Sequence, residues 1–275
     1  MQGVPENFDS VSDRAEFFRP ASITGIELYR AHIISHSFDP HTHQAFGLGS
    51  IESGVERLRY QGEELLAPAG FLVMMNPEVL HTGRAETPDG WRYRMAYLNP
   101  ELVVQLSGQH DWYFPQALVF DRTKAHYVSY LLDALWRASE ELETASLLFQ
   151  LIQVFQVFVK EKTGRQTLAQ ARFKHVLDFL HANLDQRLRL DQLANLAGLS
   201  PSHFLRSFQA QYHVTPQQML MSLRLFKAKQ LLADGNTAAE VALDTGLTDQ
   251  AHLTRAFLKR YGVTPARYQK QINSH

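Results

Sequence analysis

The chain has 275 residues, enough for two domains that each bury a core, and its 45% hydrophobic and 20% charged residues are typical of a globular protein. It contains no cysteine, which excludes disulfides, thiolate metal sites and cysteine redox chemistry. The net charge is −1, but residues 1–165 carry 14 Lys/Arg against 21 Asp/Glu whereas residues 166–275 carry 13 against 7, so a polyanion is favoured as partner of the second part only.

Neither a secretory signal nor a membrane span is visible in the sequence. Residues 1–10 lack a basic region followed by an apolar region. The most apolar stretch, Leu147 to Val159, is too short to cross a bilayer. We therefore expect a cytoplasmic protein without a membrane partner.

The first 115 residues alternate short β-branched and aromatic runs with Gly and Pro. Such runs at close spacing predict many short antiparallel strands in a barrel or sandwich. The four clearest runs are 43–51, 54–60, 70–75 and 91–98.

From residue 122 onward the pattern becomes helical. Apolar residues at i, i+3 and i+4 spacing predict two helices, over 125–139 and 144–160. Their wide apolar faces suit packing on the barrel, and equally suit a homodimer interface. The polar segment Glu161–Gln166 is the best linker candidate, which divides the chain into domains 1–165 and 166–275.

A segment that occurs twice dominates the second domain. Residues 193–216 read LANLAGLSPSHFLRSFQAQYHVTP, and residues 241–265 read VALDTGLTDQAHLTRAFLKRYGVTP. Each copy predicts a short helix, a turn at Gly198 or Gly246, and a second helix, which is the pattern of a helix-turn-helix. Residues 216–233 read as one connecting helix about 27 Å long, approaching the roughly 34 Å of one DNA turn.

The second helix of each copy carries the candidate DNA-binding residues. Phe204 and Phe208, like Leu253 and Phe257, are four apart and predicted to face inward, which leaves polar side chains for a groove. Gln suits adenine and Arg suits guanine, whereas Lys and Arg near the helix end suit phosphates. The candidates are Ser202, His203, Leu205, Arg206, Gln250, Ala251, Thr254, Arg255, Lys259 and Arg260.

The stretch from Phe173 to Gln269 resembles the DNA-binding domain of the AraC/XylS family of bacterial transcription regulators. The motifs that carry the resemblance are LANLAGLSPSHFLRSF and GLTDQAHLTRAFLKRYGVTPARYQ. The resemblance implies seven helices, with each recognition helix reading one half of an asymmetric promoter site. It also implies RNA polymerase as a partner, with activation as the usual outcome. Leu205 departs from the polar residue often found at its position.

The first domain resembles the cupin-type effector-binding domain of that family. The matching segments are HSFDPHTHQAFGLG at 36–49, LLAPAGFLVMMNPEVLHTG at 65–83 and WRYRMAYL at 91–98. The resemblance implies a small-molecule effector bound inside a barrel. Adjacent strand residues cannot both face inward, and a salt bridge to a local acid is an alternative role for Arg94. The candidate lining residues are His41, His43, Phe46, His81, Trp91, Arg94 and Tyr97.

Three of these candidates raise the question of a metal. His41 and His43 point to one face of a strand, and with His81 they would offer three imidazoles. Metal-binding cupins add a Glu four or five residues after the second His, but Gly47 and Leu48 stand there. We therefore assign no metal and no other cofactor, while a pocket-lining and a structural role remain alternatives.

The sequence thus predicts a multidomain α+β chain: a cupin-like β-barrel with a helical hairpin, followed by an all-α domain with two helix-turn-helix units. The predicted function is a sequence-specific transcription regulator, not an enzyme, that binds promoter DNA and responds to a small molecule. One alternative is a cupin metalloenzyme with a DNA-binding appendage. Another is an interaction module that assembles subunits through the hairpin without an effector. No nucleophile–base pair or phosphate-binding loop stands out in the sequence.

Overall fold

The computed structural model describes residues 13–160 and 168–273. The strands are β1 (Arg14–Phe18), β2 (Ile26–Ile33), β3 (Ser37–His41), β4 (Phe46–Tyr60), β5 (Glu63–Pro68), β6 (Phe71–Met75), β7 (His81–Ala85), β8 (Trp91–Leu98) and β9 (Leu118–Phe120). The helices are α1 (Pro100–Ser107), α2 (Arg122–Arg137), α3 (Glu141–Gln156), α4 (Leu168–Ala182), α5 (Leu190–Leu196), α6 (Pro201–Tyr212), α7 (Pro216–Ala233), α8 (Ala238–Asp244), α9 (Gln250–Tyr261) and α10 (Pro265–Asn273). The predicted linker 161–166, the boundary at 165 and the first ten residues lie outside the described parts.

Two antiparallel sheets share the long strand β4. Its first half pairs with β8 and β6, and its second half pairs with β5 and β7. The register shifts between Ile51 and Ser53, and Gly54 has φ +73°. The two predicted runs at 43–51 and 54–60 are therefore one strand, because Gly54 bends the chain from one sheet into the other without ending it.

The predicted helical hairpin packs on one face of the first sheet. Leu131 and Leu135 of α2 and Leu151 and Phe155 of α3 are fully buried, in one cluster with side chains of β4, β6 and β8. The predicted fold class, a barrel-like β domain with a helical hairpin followed by an all-α domain, is confirmed.

Helices α4–α10 form the second domain, and they make up the seven helices implied by the resemblance. The turns of the repeat are built as predicted: Gly198 has φ +63° and Gly246 has φ +67°. Thr237 and Glu240 form a capping box at the start of α8. The two turns therefore have the same backbone form, whereas the second helices begin differently: the Asp249 side chain caps α9, and, within the described part of the chain, Ser200 makes no side-chain cap hydrogen bond at α6.

The connecting helix α7 is buried on more than one side. Leu223 faces the core of the first helix-turn-helix, and Ala228 and Leu232 face the core that includes α9 and α10. Ser222 and Lys229 are also buried, against the first domain. Helix α7 is thus the central strut of the second domain and also a contact surface for the barrel.

Helix α10 covers the edge of the first sheet. Strand β1 is the terminal strand, and Gln271 Oε1 accepts a hydrogen bond from the Phe17 N–H at 3.1 Å. The Gln271 side-chain amide also donates to the Ala15 carbonyl at 3.3 Å. The side chain therefore occupies the positions that a further strand would use.

Candidate functional site

Helix α6 presents the expected polar surface. Ser202, His203 and Arg206 are exposed, whereas Leu205 is half-buried. The helix begins at Pro201 and is held by Phe204 and Phe208, which are fully buried. The exposed face therefore projects away from the domain core.

Helix α9 presents a narrower surface than expected. Gln250, Arg255 and Lys259 are exposed and Ala251 is half-buried. The side chain of Asp249 caps the helix by accepting from the His252 N–H at 2.7 Å. The start of α9 is thus fixed with Gln250 and Arg255 directed outward.

Two of the predicted DNA-binding residues face inward. The Thr254 hydroxyl donates to the Gln250 carbonyl at 2.8 Å, and the side chain is buried. Arg260, predicted to contact a phosphate, is only 4% exposed. Its guanidinium donates to the Ser222 hydroxyl at 2.7 Å and to the Thr42 carbonyl. In this arrangement Arg260 joins the two domains instead of facing DNA.

The C-terminal end of α9 lies against strand β3. Lys259 Nζ and an Asp39 carboxylate oxygen are 2.8 Å apart, and His36 Nε2 lies 3.0 Å from the Lys259 carbonyl. The helix predicted to read DNA thus touches the barrel through its last turn.

A cavity of about 40 Å³ lies where the two domains meet. The predicted residues that line it are His41, His43, His81 and Tyr97. Further residues of the first domain line it, among them Tyr29, Glu56, Met75, Tyr93 and Met95. The second domain contributes Lys229, Arg260 and Tyr261. The cavity inside the barrel is therefore closed by α7 and α9.

Three predicted lining residues lie elsewhere. Phe46 packs against Trp112 and Phe114 beneath the helical hairpin, and Arg94 binds Glu52 at 2.6 Å and Asp133 at 3.0 Å. Both lie on the hairpin side because side chains alternate along a strand: Tyr93, Met95 and Tyr97 face the cavity, and Arg94 between them does not.

Trp91 is on the same face as Tyr93 but beyond the cavity. It is fully buried and stacks on Tyr93 at a ring distance of 5.5 Å. Trp91 therefore supports the cavity wall and does not line the cavity.

Burial keeps the imidazoles of the cavity neutral. It lowers the pKa of His41 and His43 well below the usual value, with further lowering by His81 and Arg260, and lowers that of His81 to about 4. Burial also raises the pKa of the Glu56 carboxyl to about 8. At neutral pH the cavity thus contains neutral imidazoles, a largely protonated Glu56, and the cations of α7 and α9.

A buried polar cluster lies beside the cavity. Lys229 donates to Glu27, whose other oxygen accepts from the Tyr268 hydroxyl at 2.7 Å and from Arg19 at 3.0 Å. Burial would raise the pKa of Glu27, but the charges of Lys229 and Arg19 lower it below its usual value. The cluster therefore joins β2 to α7 and α10 as an ionised group.

A larger cleft, of about 740 Å³, borders the same cluster. It shares His43, Tyr97 and Lys229 with the inner cavity. It continues past apolar residues of both domains, such as Ile23 and Phe226. The three shared side chains thus form the wall between cleft and cavity.

Sequence reasoning missed the contribution of the second domain to this site. Lys229 and Ser222 interrupt an apolar helix, and that interruption was the available signal for a polar contact. The Tyr93, Met95 and Tyr97 alternation likewise pointed to one lining face of β8. Nothing local in the sequence indicated that α9 would cover the barrel.

Comparison with known proteins finds a match in each half of the chain. A family model for AraC-like ligand-binding domains matches residues 24–152, and a helix-turn-helix domain model matches residues 193–271. An uncharacterized HTH-type transcriptional regulator of Bacillus subtilis, YbfI, is 29% identical over 237 residues, covering 83% of this chain and 86% of the relative. The lactose operon transcription activator of Staphylococcus xylosus is 19% identical over 235 residues, covering 81% and 83%.

The solved structure of ToxT from Vibrio cholerae with an unsaturated fatty acid bound has a similar fold. The TM-score is 0.58 at 11% identity, and the alignment covers 99% of both chains. The two-domain architecture therefore recurs in a protein of distant sequence. None of the helices in the described part of the chain combines the length and apolar character needed to cross a membrane.

Proposed function

Because the chain belongs to the AraC family of transcription regulators, we propose that it reads a promoter with α6 and α9 and senses its effector in the cavity between its two domains. The observation that carries this proposal is the composition of the cavity wall. Lys229, Arg260 and Tyr261 belong to the DNA-binding domain, while the opposite wall belongs to the barrel.

The exposed residues of α6 and α9 support DNA reading. Arg206 and Arg255 have the chemistry for guanine, and Gln250 has the chemistry for adenine. The rod α7, 18 residues long, separates the two units. Lys259 would be available to a phosphate once its contact with Asp39 is released.

The shared cavity supports a coupling between effector and DNA. A ligand shifts an equilibrium only when its affinity differs between the two states. A ligand that contacts both Arg260 and the barrel would favour the present arrangement, and one that displaces Arg260 would oppose it. In either case the last turn of α9 would respond to the ligand.

The relatives support a regulatory and not a catalytic use of the cavity. They are named as transcription regulators, and ToxT, with a similar fold, has been solved with a bound fatty acid. We therefore rank the cupin metalloenzyme second among the candidate functions. It would require that the protein converts a substrate and that this turnover depends on His41.

We also propose that the helical hairpin mediates homodimerisation and that the DNA-bound protein contacts RNA polymerase. Tyr127 and Tyr130 of α2 and Leu142 and Phe149 of α3 are large and exposed. Sedimentation of the purified protein and of a Tyr130→Glu, Phe149→Glu variant tests the dimer. A dimer that persists unchanged in the variant would argue against this interface.

The first experiment measures binding to the promoter region upstream of the protein's own gene as a function of salt. Binding driven by phosphates should weaken steeply, with a slope of about −0.9 per phosphate contacted. A slope near zero would contradict the proposed DNA interface.

The second experiment screens metabolites by thermal shift and then measures promoter affinity with each hit. A ligand bound to the native form raises the melting temperature. A hit in the cavity should also change promoter affinity. If every cavity ligand leaves that affinity unchanged, the sensing role is wrong although DNA binding stands.

A further inference from the structure

Three imidazoles converge inside the barrel. His41 and His81 face each other across the β3–β7 pair, with ring centroids 4.2 Å apart, and the His43 ring lies 5.0 Å from His81. One nitrogen of each ring lies within 4.8 Å of the corresponding nitrogens of the other two. All three side chains are buried.

Two of the rings are held in a single tautomer. His41 Nδ1 lies 2.6 Å from the Asp39 carbonyl oxygen, and His81 Nδ1 lies 3.0 Å from the Val79 carbonyl oxygen. Because a carbonyl only accepts, each Nδ1 carries the proton and each Nε2 keeps its lone pair. A backbone hydrogen bond on one ring nitrogen is also how metal-binding histidines are oriented.

The third ring and a nearby guanidinium have unused polar atoms. Among the residues that the structure describes, the buried His43 Nε2 and Arg260 Nε have no hydrogen-bond partner. Both residues line the cavity. Within the same described residues, the hydroxyls of Tyr29 and Tyr261, which line the same cavity, are also unpaired. Buried polar atoms are rarely left unpaired, so these four in one cavity indicate that a polar group binds there.

Gly47 and Leu48 supply no fourth ligand, so the sequence alone does not support a metal. From the geometry we nevertheless propose that His41, His43 and His81 bind one divalent transition-metal ion, and that the open coordination position of this ion receives a small anion bound at its other end by Arg260. Imidazole suits zinc, cobalt, nickel and copper. At metal–nitrogen distances of about 2.0–2.1 Å in tetrahedral geometry, the ligand nitrogens lie about 3.3 Å apart, so the rings, whose nitrogens lie within 4.8 Å of one another, need to approach by up to roughly 1.5 Å. The anionic part rests on the proposed effector site, whereas the metal part stands without it.

The charges of the cavity explain why an anion is required. A divalent ion would add to the charge of Arg260, which lines the same space. The charge of Lys229 is balanced by Glu27, and Glu56, the carboxyl in the lining, is largely protonated at neutral pH. An anion between the metal and Arg260 relieves this excess and also links the barrel to α9.

The metal part is tested with Co²⁺ added to the metal-stripped full-length protein. We expect one equivalent to bind with the visible absorption of low-coordinate cobalt, and His41→Ala and His81→Ala to weaken binding at least tenfold. His126→Ala, in an exposed histidine of α2, is the matched control and should bind normally. If an alanine variant fails to fold, as judged by circular dichroism, His81→Gln replaces it.

Two results would overturn the metal part. One is the absence of stoichiometric Co²⁺ or Zn²⁺ binding by the wild-type protein. The other is binding that is equally tight in the folded histidine variants.

The anionic part is tested with azide, a small anion that binds open metal positions, on the Co²⁺-loaded protein. Azide should change the cobalt spectrum, and Arg260→Gln should weaken azide binding about tenfold without weakening Co²⁺ binding. Arg255→Gln, in an exposed arginine of the same helix, should leave azide binding unchanged. Equal azide affinity in wild type and Arg260→Gln would overturn the anion bridge.

The failure of the proposed function would look different. In that case Co²⁺ and azide bind as described, but promoter affinity is the same with and without them. The metal site would then stand, and the sensing role would not.

Discussion

Lys229 of α7 and Glu27 of β2 form an ion pair that is buried between the two domains, with both side chains only 8% exposed. The ammonium group also lies 4.2 Å from the Phe17 ring centroid and 4.7 Å from that of Tyr261. A single charged side chain of the DNA-binding domain is thus enclosed by groups of both domains.

Replacing Lys229 by Met should therefore destabilise the protein by about 3–5 kcal/mol, because it leaves a buried carboxylate with fewer counter-charges. Urea unfolding measures this loss. Lys227→Met, in the exposed lysine of the same helix, is the matched control and should cost little. The double variant Glu27→Gln, Lys229→Met should recover part of the stability. A Lys229→Met variant as stable as the control would contradict the buried pair.

Arg255→Ala should weaken promoter binding by about 1–3 kcal/mol and relax specificity at one base pair. The physical reason is that an exposed arginine in the second turn of α9 suits two hydrogen bonds to guanine. Binding to a set of promoter fragments with single base-pair changes measures both effects. Arg122→Ala, in an exposed arginine of α2, is the control. An equal loss on every fragment would assign Arg255 to a phosphate.

Gly246→Ala should destabilise the second domain more than Gly198→Ala does. Both glycines occupy the same turn position with positive φ, which costs an alanine roughly 1–2 kcal/mol. At Gly198 an added Cβ would meet open space, whereas at Gly246 it would lie 2.6 Å from the Leu184 carbonyl oxygen. The extra loss at Gly246, on the order of 1 kcal/mol or more, follows from this contact. Equal unfolding free energies for the two variants would contradict the close approach.

The free energy of unfolding of the Glu56→Gln variant, relative to that of wild type, should increase as the pH rises from 5 to 8. Burial raises the pKa of Glu56 from 4.5 to about 8. Between these values the folded protein holds a proton that the unfolded chain has released, so wild-type stability falls with rising pH by up to about 1.4 kcal/mol per unit. Glutamine removes this contribution.

Urea unfolding of wild type and Glu56→Gln at pH 5 and pH 8 measures the difference. The groups that face Glu56, which include Tyr29, Tyr93 and the cavity histidines, are the same in both proteins. Glu63→Gln, in an exposed glutamate of β5, is the control. A stability difference that does not change with pH would show that Glu56 is ionised in the folded protein.

The helical half was predictable because its signals are local. A glycine at the turn and two inward side chains four apart recur in both copies, and each acts within a few residues of the chain. Phe204, Phe208, Leu253 and Phe257 are all fully buried, as predicted. Most of the polar residues predicted to face outward on α6 and α9 are exposed to solvent.

Only part of the cavity lining could be predicted from the sequence. His41, His43, His81 and Tyr97 line it as expected, but Arg260 reaches it from more than 200 residues away in the chain. Exposure on an isolated helix is easy to infer from periodicity, whereas the partner that covers the helix is set by tertiary packing. For the same reason the sequence predicts a phosphate contact for Arg260, whereas the structure places it between the two domains.

Helix α9 is only 12 residues long. Its first two turns carry the exposed Gln250 and Arg255, while its last residues, Arg260 and Tyr261, line the cavity of the other domain. If α9 reads the promoter and the cavity binds the effector, as proposed, then promoter preference and effector response both depend on this one short helix. A hybrid protein that carries α9 of a relative would then change both its DNA target and its response to the effector. To change the DNA target alone, the exchanged segment would have to end before Lys259.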